Sequence, residues 1–260
     1  MNYGFIGSGN IAVALIKGAI KSGKIKSHEV FIYDSNITVQ NKISAEHGVI
    51  GVENPEALIH QTDLVFLAVK PPVMPLVLSS IQNCLGEQKR PVVSLAASVK
   101  LETMANYLKP QHPILRVMPN LNAAVCSGVN AICKNTYATD NHLHITEKFL
   151  NSSGTVHRID EKEFDLFAAL AGCSPAFTYL FMESLAKGAH KHGMNKQEAL
   201  RIAAQTVLGS AKMLLDSPDH PCLLIDKVCS PGGMTIRGIC SLEANGFSPT
   251  VVQAMEASMK

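Results

Sequence analysis

The feature that most constrains this chain is a glycine-rich turn between its first predicted strand and its first predicted helix. Residues 7–12 read Gly-Ser-Gly-Asn-Ile-Ala and follow the apolar run 3–6. Gly7 permits a tight turn, Gly9 lets the backbone approach a pyrophosphate, and Ala12 lets the helix pack closely on the sheet. Backbone N–H groups and the helix dipole can then hold phosphate groups. The pattern therefore predicts dinucleotide binding, with an ordinary strand-to-helix turn as the alternative.

Short apolar runs alternate with amphipathic stretches through the first 160 residues. The apolar runs predict strands at 3–6, 30–33, 64–69, 92–95, 115–118 and 128–133. The amphipathic stretches predict helices at 11–22, 38–47 and 73–85. Strands and helices in alternation indicate a parallel sheet that is covered on both faces.

The strand signals stop after Asp160, and the pattern becomes that of long helices. These helices are predicted at 163–170, 175–192, 196–215, 234–245 and 249–259. We therefore predict an α/β chain in which residues 1–158 form a Rossmann-type doubly wound parallel sheet and bind the dinucleotide. Residues 159–260 are predicted to form an all-α domain.

Asp34 directly follows the second predicted strand. A carboxylate there can accept hydrogen bonds from both ribose hydroxyls of an adenosine, and it repels a 2′-phosphate. No Lys or Arg lies between Lys26 and Lys42. These features favour NADH over NADPH, although Ser35, Asn36 and backbone groups could hold a 2′-phosphate. The alternative interpretation of Asp34 is an exposed turn residue.

Composition argues against several partners. The net charge is only +2, Trp is absent and aromatic residues make up 5 %, so nucleic acid is not an expected partner. The start of the chain lacks the pattern of a secretory signal, which favours a cytoplasmic protein. Residues 166–182 carry no charge, but they contain Gly172 and Pro175 and fall short of a membrane span, so we expect a buried helix pair and no membrane association.

The cysteines and histidines give no metal signal. The seven cysteines include no CxxC pair, so neither a zinc site nor a disulfide framework is expected. Two histidine pairs, at 142/144 and 190/192, have i,i+2 spacing and do not share a helix face. We therefore expect no metal.

A turn near the C-terminus carries the second motif. Residues 230–235 read Ser-Pro-Gly-Gly-Met-Thr. Such a turn can direct several backbone N–H groups toward one point at the start of the next helix, which suits a carboxylate. An ordinary interhelical turn is the alternative.

The stretch 226–243, which contains this turn, closely resembles the signature of the pyrroline-5-carboxylate reductases. Other blocks resemble that family in the expected order along nearly the whole chain. They are the turn at 7–12, Ala-Val-Lys-Pro at 68–71, Arg-Val-Met-Pro-Asn at 116–120, and the segments 171–177 and 205–214. The chain departs from the family at Leu121-Asn122, where Thr-Pro is usual, and at Lys227 and Met234.

The resemblance implies NAD(P)H-dependent reduction of the C=N bond of 1-pyrroline-5-carboxylate to L-proline, the last step of proline biosynthesis. It implies that the C-terminal domain serves substrate binding and dimerisation, in a homodimer or a larger homo-oligomer. Thr235 would be the catalytic residue, orienting and polarising the substrate nitrogen. The expected substrate-binding residues are Ser230, Gly232, Gly233, Met234 and Thr235. The expected cofactor-binding residues are Gly7, Ser8, Gly9, Asn10, Ile11, Ala12, Asp34, Ser35, Asn36, Ala68, Val69, Lys70, Pro71, Ala96, Ala97, Met118, Pro119 and Asn120.

Two other functions stay open from the residues alone. A reductase or dehydrogenase of the related β-hydroxyacid type needs a general acid, often a lysine on the first long helix of the second domain. The first lysine on that helix here is Lys187, near its end. A non-catalytic NAD(P)-binding sensor could use the same fold, but the complete 230–235 motif argues against it.

Overall fold

The computed structural model describes residues 1–88 and 90–259, and the chain divides into two compact units. The first unit is Met1–Gly172, and the second begins at Cys173. The predicted domain boundary at 158/159 coincides with the end of the last described strand at Arg158. The compact division falls later, because helical residues 161–172 belong to the first unit.

The first unit contains an eight-stranded sheet. Its strands are β1 Tyr3–Ile6, β2 Val30–Tyr33, β3 Ile50–Gly51, β4 Leu64–Leu67, β5 Val92–Ser94, β6 Ile114–Met118, β7 Gly128–Lys134 and β8 Gly154–Arg158. They lie in the order β3-β2-β1-β4-β5-β6-β7-β8. This confirms the predicted doubly wound sheet.

One pair of strands corrects the expectation of a wholly parallel sheet. β6 and β7 are antiparallel, whereas β7 and β8 are parallel to each other. Two strands were also not predicted. β3 is only two residues long and exposed, and β8 reads Gly-Thr-Val-His-Arg with no buried residue, so neither has the apolar run that identifies a buried strand.

Six α-helices of the first unit connect these strands, and short helical turns supplement them. The helices are α1 Asn10–Lys21, α2 Ile37–His47, α3 Pro55–Gln61, α4 Met74–Gln88, α5 Leu101–Ala105 and α6 Asp140–Leu150. The 3₁₀ turns are Ser27–Glu29, Pro71–Val73, Leu121–Val125 and Glu161–Glu163. A short α7, Phe164–Phe167, continues into the π-helical segment Ala168–Cys173.

Side chains that alternate along the central strands build one core on each face of the sheet. Phe5 and Phe66 belong to one core, with α1 and Phe149 of α6, and their rings stack at 4.6 Å between centroids. Ile6 and Leu67, the next residues along the strands, belong to the other core. Central strands of a parallel sheet are apolar on both faces for this reason.

The second unit is helical, as predicted. Its helices are α8 Ser174–Lys191, α9 Lys196–Asp216, α10 Pro221–Val228, α11 Met234–Ala244 and α12 Phe247–Ala257. α8 and α9 pack against each other, and Ala186, Ala199 and Ala203 on these helices are buried. Many large apolar side chains of this unit stay exposed within one chain, including Leu180, Leu208, Met213 and Leu215. Apolar surface of this extent marks a contact with another molecule.

The helical run Glu161–Lys191 has the length and apolar composition that could cross a membrane. Core helices of soluble proteins share this length and apolar composition. We expected residues 166–182 to form a buried helix pair. Within one chain this is wrong, since only 11 % of the most apolar part of the run is buried.

Gly18 lets α1 lie directly against the 3₁₀ turn Leu121–Val125. A Cβ atom at residue 18 would lie 1.9 Å from the carbonyl oxygen of Ala123. We expect Gly18→Ala to lower the free energy of unfolding by about 1–3 kcal/mol, because the backbone must move to relieve the overlap. Urea or thermal denaturation measures the change.

Gly86→Ala is the matched control, since Gly86 also lies inside a helix. A Cβ atom there would meet only the flexible side chain of Lys109, so the better helix propensity of Ala should leave stability equal or raise it by about 0.5–1 kcal/mol. Equal stability of both variants would contradict the close contact at Gly18.

Candidate functional site

Three loops meet at the carboxyl edge of the sheet and surround a cavity of about 690 Å³. They follow β1, β2 and β4, which are neighbours in the sheet. Ligands of open α/β sheets bind at this edge, where the strand order reverses. The lining residues are Ile6, Gly7, Ser8, Gly9, Tyr33, Asp34, Ser35, Pro55, Glu56, Ala68, Val69, Lys70, Val73, Leu76, Val77 and Ser80.

Gly7 makes the turn that forms this cavity. Its φ is +92°, and a Cβ atom would lie 2.8 Å from the carbonyl oxygen of Ala68. Its N–H donates to the carbonyl of Tyr33 at 2.8 Å. Only glycine combines this backbone conformation with so close a contact.

Gly9 leaves space for a ligand at the start of α1. A Cβ atom at residue 9 would meet nothing within 4 Å, and Gly9 is the N-cap of α1 without a side-chain capping bond. The first N–H groups of the helix have no intrahelical partner. A phosphate group fits the open space and the free donors, so this turn has the features that a dinucleotide cofactor requires.

Asp34 is fixed by hydrogen bonds within the first unit. Its Oδ2 accepts from the backbone N–H of Ser8 at 2.9 Å and from the Ser8 hydroxyl at 2.6 Å. Its Oδ1 accepts from the N–H of Asn36 at 2.9 Å. A carboxylate has about four lone-pair sites, so these bonds use most of its capacity and Asp34 is not a free turn residue.

Gln40 supports Asp34 from α2 and was not singled out in the sequence. Its side chain is 3 % exposed; Oε1 accepts from the N–H of Asp34 at 2.8 Å, and Nε2 donates to the carbonyl of Val52 at 3.0 Å. In the sequence, the only indication of this role is that a polar residue stands one turn after the N-cap of α2, a helix with few buried positions.

Some of the predicted cofactor-binding residues line the cavity, and others do not. Gly7, Ser8, Gly9, Asp34, Ser35, Ala68, Val69 and Lys70 line it. The predicted residues outside its lining are Asn10, Ile11, Ala12, Asn36, Pro71, Ala96, Ala97, Met118, Pro119 and Asn120. Ala12 is fully buried in the core, which agrees with its expected packing role.

Several lining residues were not predicted, because only the folded chain brings them to the cavity. Val73, Val77 and Ser80 lie at i, i+4 and i+7 on the helical stretch after Pro71-Pro72, so they share one face. Pro55 and Glu56 start α3. A helix face of this kind could be found in the sequence, but the cavity opposite it could not.

Asn120 is engaged by other protein groups. Its Nδ2 donates to the carbonyl of Ala171 at 3.0 Å, and its Oδ1 accepts from the N–H of Val129 at 3.2 Å. The side chain is 5 % exposed. It ties the end of β6 to β7 and to the π-helical segment, while a direct contact with the cofactor stays a prediction.

The Ser230–Thr235 turn joins α10 to α11 in the second unit. Gly232 has a φ of +68°, and the N–H of Gly233 donates to the carbonyl of Ser230 at 3.0 Å. Gly233 is the N-cap of α11 without a side-chain capping bond. The first N–H groups of α11 are therefore free for an anion, and Thr235 lies exposed in this first turn.

The two charged residues beside this turn bond to protein groups. Lys227, a departure from the family pattern, pairs with Asp219. The Nε of Arg237 donates to the carbonyl of Gly233 at 3.3 Å. Met234, the other departure, is 84 % exposed.

The described residues contain no cluster of three or more His, Cys, Asp or Glu that could hold a metal ion. Cys133 is a poor nucleophile, because burial, with the nearby Glu161 carboxylate, raises the pKa of its thiol to about 12. The backbone donors and hydroxyl groups of the two turns can bind and orient a ligand.

Comparisons with known proteins match both units. Residues 161–260 match the family described as pyrroline-5-carboxylate reductase dimerisation, and residues 2–98 match NADP oxidoreductase, coenzyme F420-dependent. The pyrroline-5-carboxylate reductase of Escherichia coli (strain K12) is 35 % identical over 260 residues, with 99 % of this chain and 95 % of that protein covered. The enzyme of Aquifex aeolicus is 38 % identical over 255 residues, with 98 % and 94 % covered.

Solved structures agree with these matches. The 1-pyrroline-5-carboxylate reductase of Streptococcus pyogenes has a TM-score of 0.87 at 37 % identity, and 100 % of this chain and 96 % of that chain are covered. A Plasmodium falciparum pyrroline carboxylate reductase with NADP bound has a TM-score of 0.89 at 30 % identity, with 100 % and 95 % covered.

Gly9→Ala tests whether the open space at the start of α1 receives a dinucleotide. The new methyl group meets no protein atom within 4 Å, so we expect the Tm to stay unchanged. It would occupy the space of the pyrophosphate, so the Kd for NADH and NADPH should rise by roughly tenfold or more, which corresponds to about 1.4 kcal/mol. Fluorescence titration and thermal denaturation measure the two quantities, with Gly86→Ala as control. Unchanged affinity would contradict this assignment.

Proposed function

Because this chain belongs to the pyrroline-5-carboxylate reductase family, we propose that it reduces the C=N bond of 1-pyrroline-5-carboxylate with NAD(P)H and forms L-proline. The single observation that carries the proposal is the open glycine turn at the carboxyl edge of the sheet, in a chain that matches family members along 98–99 % of its length. The β-hydroxyacid type and the non-catalytic sensor have no comparable support.

The cofactor site belongs to the first unit. The free N–H groups at the start of α1 would hold the pyrophosphate, and Asp34 would face the adenosine ribose. Ala68, Val69 and Lys70 line the same cavity on the β4 side. Bound NAD(P)H supplies the hydride that reduces the imine carbon.

The substrate requires orientation more than activation. A protonated cyclic imine is already electrophilic, so the reaction needs no covalent nucleophile and no metal ion. We infer that the free backbone N–H groups at the start of α11, beside Ser230, Gly233 and Met234, bind the substrate carboxylate. The N–H of Gly233 itself already donates to the carbonyl of Ser230. Thr235 then holds the ring nitrogen, because a hydroxyl group can donate or accept a hydrogen bond as the imine becomes an amine.

The protein forms a homo-oligomer, as the match to the dimerisation family indicates. We propose that the contact uses the exposed apolar residues of α8 and α9, such as Leu180 and Leu208. The apolar run Glu161–Lys191 then serves subunit contact in a cytoplasmic enzyme, with neither membrane nor nucleic acid as a partner.

The first test is turnover. We expect the purified protein to oxidise NADH or NADPH when 1-pyrroline-5-carboxylate is added, with one proline formed per cofactor consumed. Absorbance at the reduced-nicotinamide band and amino-acid analysis give the two amounts. A folded oligomer that consumes neither cofactor across neutral pH would contradict the proposed function.

The second test concerns the cofactor. We propose that NADH is used at least as well as NADPH, since Asp34 is anionic and no Lys or Arg lies between Lys26 and Lys42. Asp34→Asn should shift the kcat/KM ratio toward NADPH by roughly tenfold, because it removes like-charge repulsion of the 2′-phosphate.

Asp34→Ser should shift the ratio in the same direction, and Ser8→Ala is the control. Ser8→Ala removes one hydrogen bond to Asp34 but keeps the negative charge, so it should leave the ratio unchanged. A strong preference of the wild type for NADPH would show instead that Ser35 and Asn36 recognise the phosphate.

The third test concerns Thr235. Thr235→Ala should lower kcat/KM by roughly ten- to a thousandfold, which corresponds to the loss of a positioned hydrogen bond worth about 1.5–4 kcal/mol. Thr235→Ser keeps the hydroxyl group and should recover most of the activity. Cofactor affinity should stay unchanged, because the cofactor cavity lies in the first unit. Near-wild-type kcat/KM for Thr235→Ala, or loss of NAD(P)H binding, would contradict the assigned role.

A further inference from the structure

Arg116 is a buried cation in the middle of β6. Its side chain is 3 % exposed, and Nη1 lies 3.0 Å from Oε1 of Glu161. Nη2 donates to the carbonyl of Ala97, and the guanidinium carbon lies 4.4 Å from the centre of the Phe164 ring. A buried charge is tolerated only when it is paired and hydrogen-bonded, so these contacts hold Arg116 in one position.

Glu161 also bonds to the backbone close to Ala97. Its Oε1 also accepts from the backbone N–H of Leu101 at 2.7 Å. Arg116 therefore binds the first residue of the stretch 97–101, and its ion-pair partner binds the last. We call this stretch the 97–101 segment.

The 97–101 segment follows β5 at the carboxyl edge of the sheet. β5 ends at Ser94 and pairs in parallel with β4, and the loop after β4 lines the cofactor cavity through Ala68, Val69 and Lys70. The segment thus follows the strand next to that loop, on the side of the cavity opposite to Asp34. A dinucleotide with its ribose at Asp34 and its pyrophosphate at the glycine turn would place its reactive end on this side.

We propose that Arg116 and Glu161 are positioning residues for hydride transfer, which act by fixing the 97–101 segment beside the nicotinamide end of the cofactor. This proposal rests on the proposed function. Neither residue lines the cavity, so both act through the backbone of the segment. A misplacement of about 1 Å near the reacting atoms can lower the rate a hundredfold.

Two single substitutions weaken the link between Arg116, Glu161 and the 97–101 segment in different ways. Glu161→Gln keeps an oxygen acceptor but removes the negative charge. Arg116→Lys keeps the positive charge but cannot reach Glu161 and Ala97 together, because an ammonium group lacks the planar fork of guanidinium. The matched controls are Glu147→Gln and Arg158→Lys, since these residues form another Arg–Glu pair of the first unit, at 2.5 and 2.8 Å.

Three quantities are measured on the oligomeric protein: kcat, the Kd for NADH and NADPH, and hydrogen exchange at the Leu101 amide. We expect kcat to fall by roughly ten- to a hundredfold in Glu161→Gln and Arg116→Lys. The Kd should change by less than about threefold, because the glycine turn and Asp34 are untouched. Exchange at Leu101 should become faster in both variants and stay unchanged in both controls.

A double variant keeps the proposal testable if a single substitution unfolds the protein. Arg116→Met/Glu161→Leu removes both charges together and leaves no unpaired buried charge. It should fold, exchange rapidly at Leu101 and have the same lowered kcat.

A purely structural role predicts a different result. In that case the Tm falls but kcat per folded protein stays within about twofold of the wild type, and this outcome would overturn the proposal. Unchanged exchange at Leu101 in the double variant would overturn it as well. Failure of the proposed function is distinguishable, because it would appear as an inactive wild type.

Discussion

The close backbone contact at Gly7 is the constraint on which the cofactor site depends. The turn after β1 touches the carbonyl of Ala68 after β4, so two neighbouring strands end in loops that meet. The N–H of Gly7 also bonds to the carbonyl of Tyr33 at the end of β2. A side chain at residue 7 would separate these three loops and would close the position where the helix α1 offers its free N–H groups.

Asp34 has two roles that compete for the same oxygen atoms. Its carboxylate holds Ser8 in the glycine turn, and we propose that it also binds the adenosine ribose. The first role fixes the orientation of the side chain, and the second is how the charge would select between the two cofactors. An amide at this position would keep part of the first role and lose the charge on which the second depends.

The buried polar residues of the first unit fix loops that the sheet alone would leave free. Arg116 and Asn120 lie on and just after β6, and they bond to Glu161 and Ala171 of the following helical region. This explains why the compact first unit continues to Gly172, past the end of the last described strand. The second unit has few buried side chains of its own, which is consistent with the match of residues 161–260 to a dimerisation family.

The sequence by itself determined the elements that depend on local patterns. These are the glycine turn, the central apolar strands, the long C-terminal helices and the 230–235 turn, because each depends on residues close together in the chain. Only the tertiary structure decided the antiparallel β7, the strands β3 and β8, and the partners of Asp34 and Arg116. Ser8 and Asp34 are 26 residues apart, and Arg116 and Glu161 are 45 apart. Hydrogen bonds over such separations depend on how the strands are ordered and packed, which no local pattern in one sequence records.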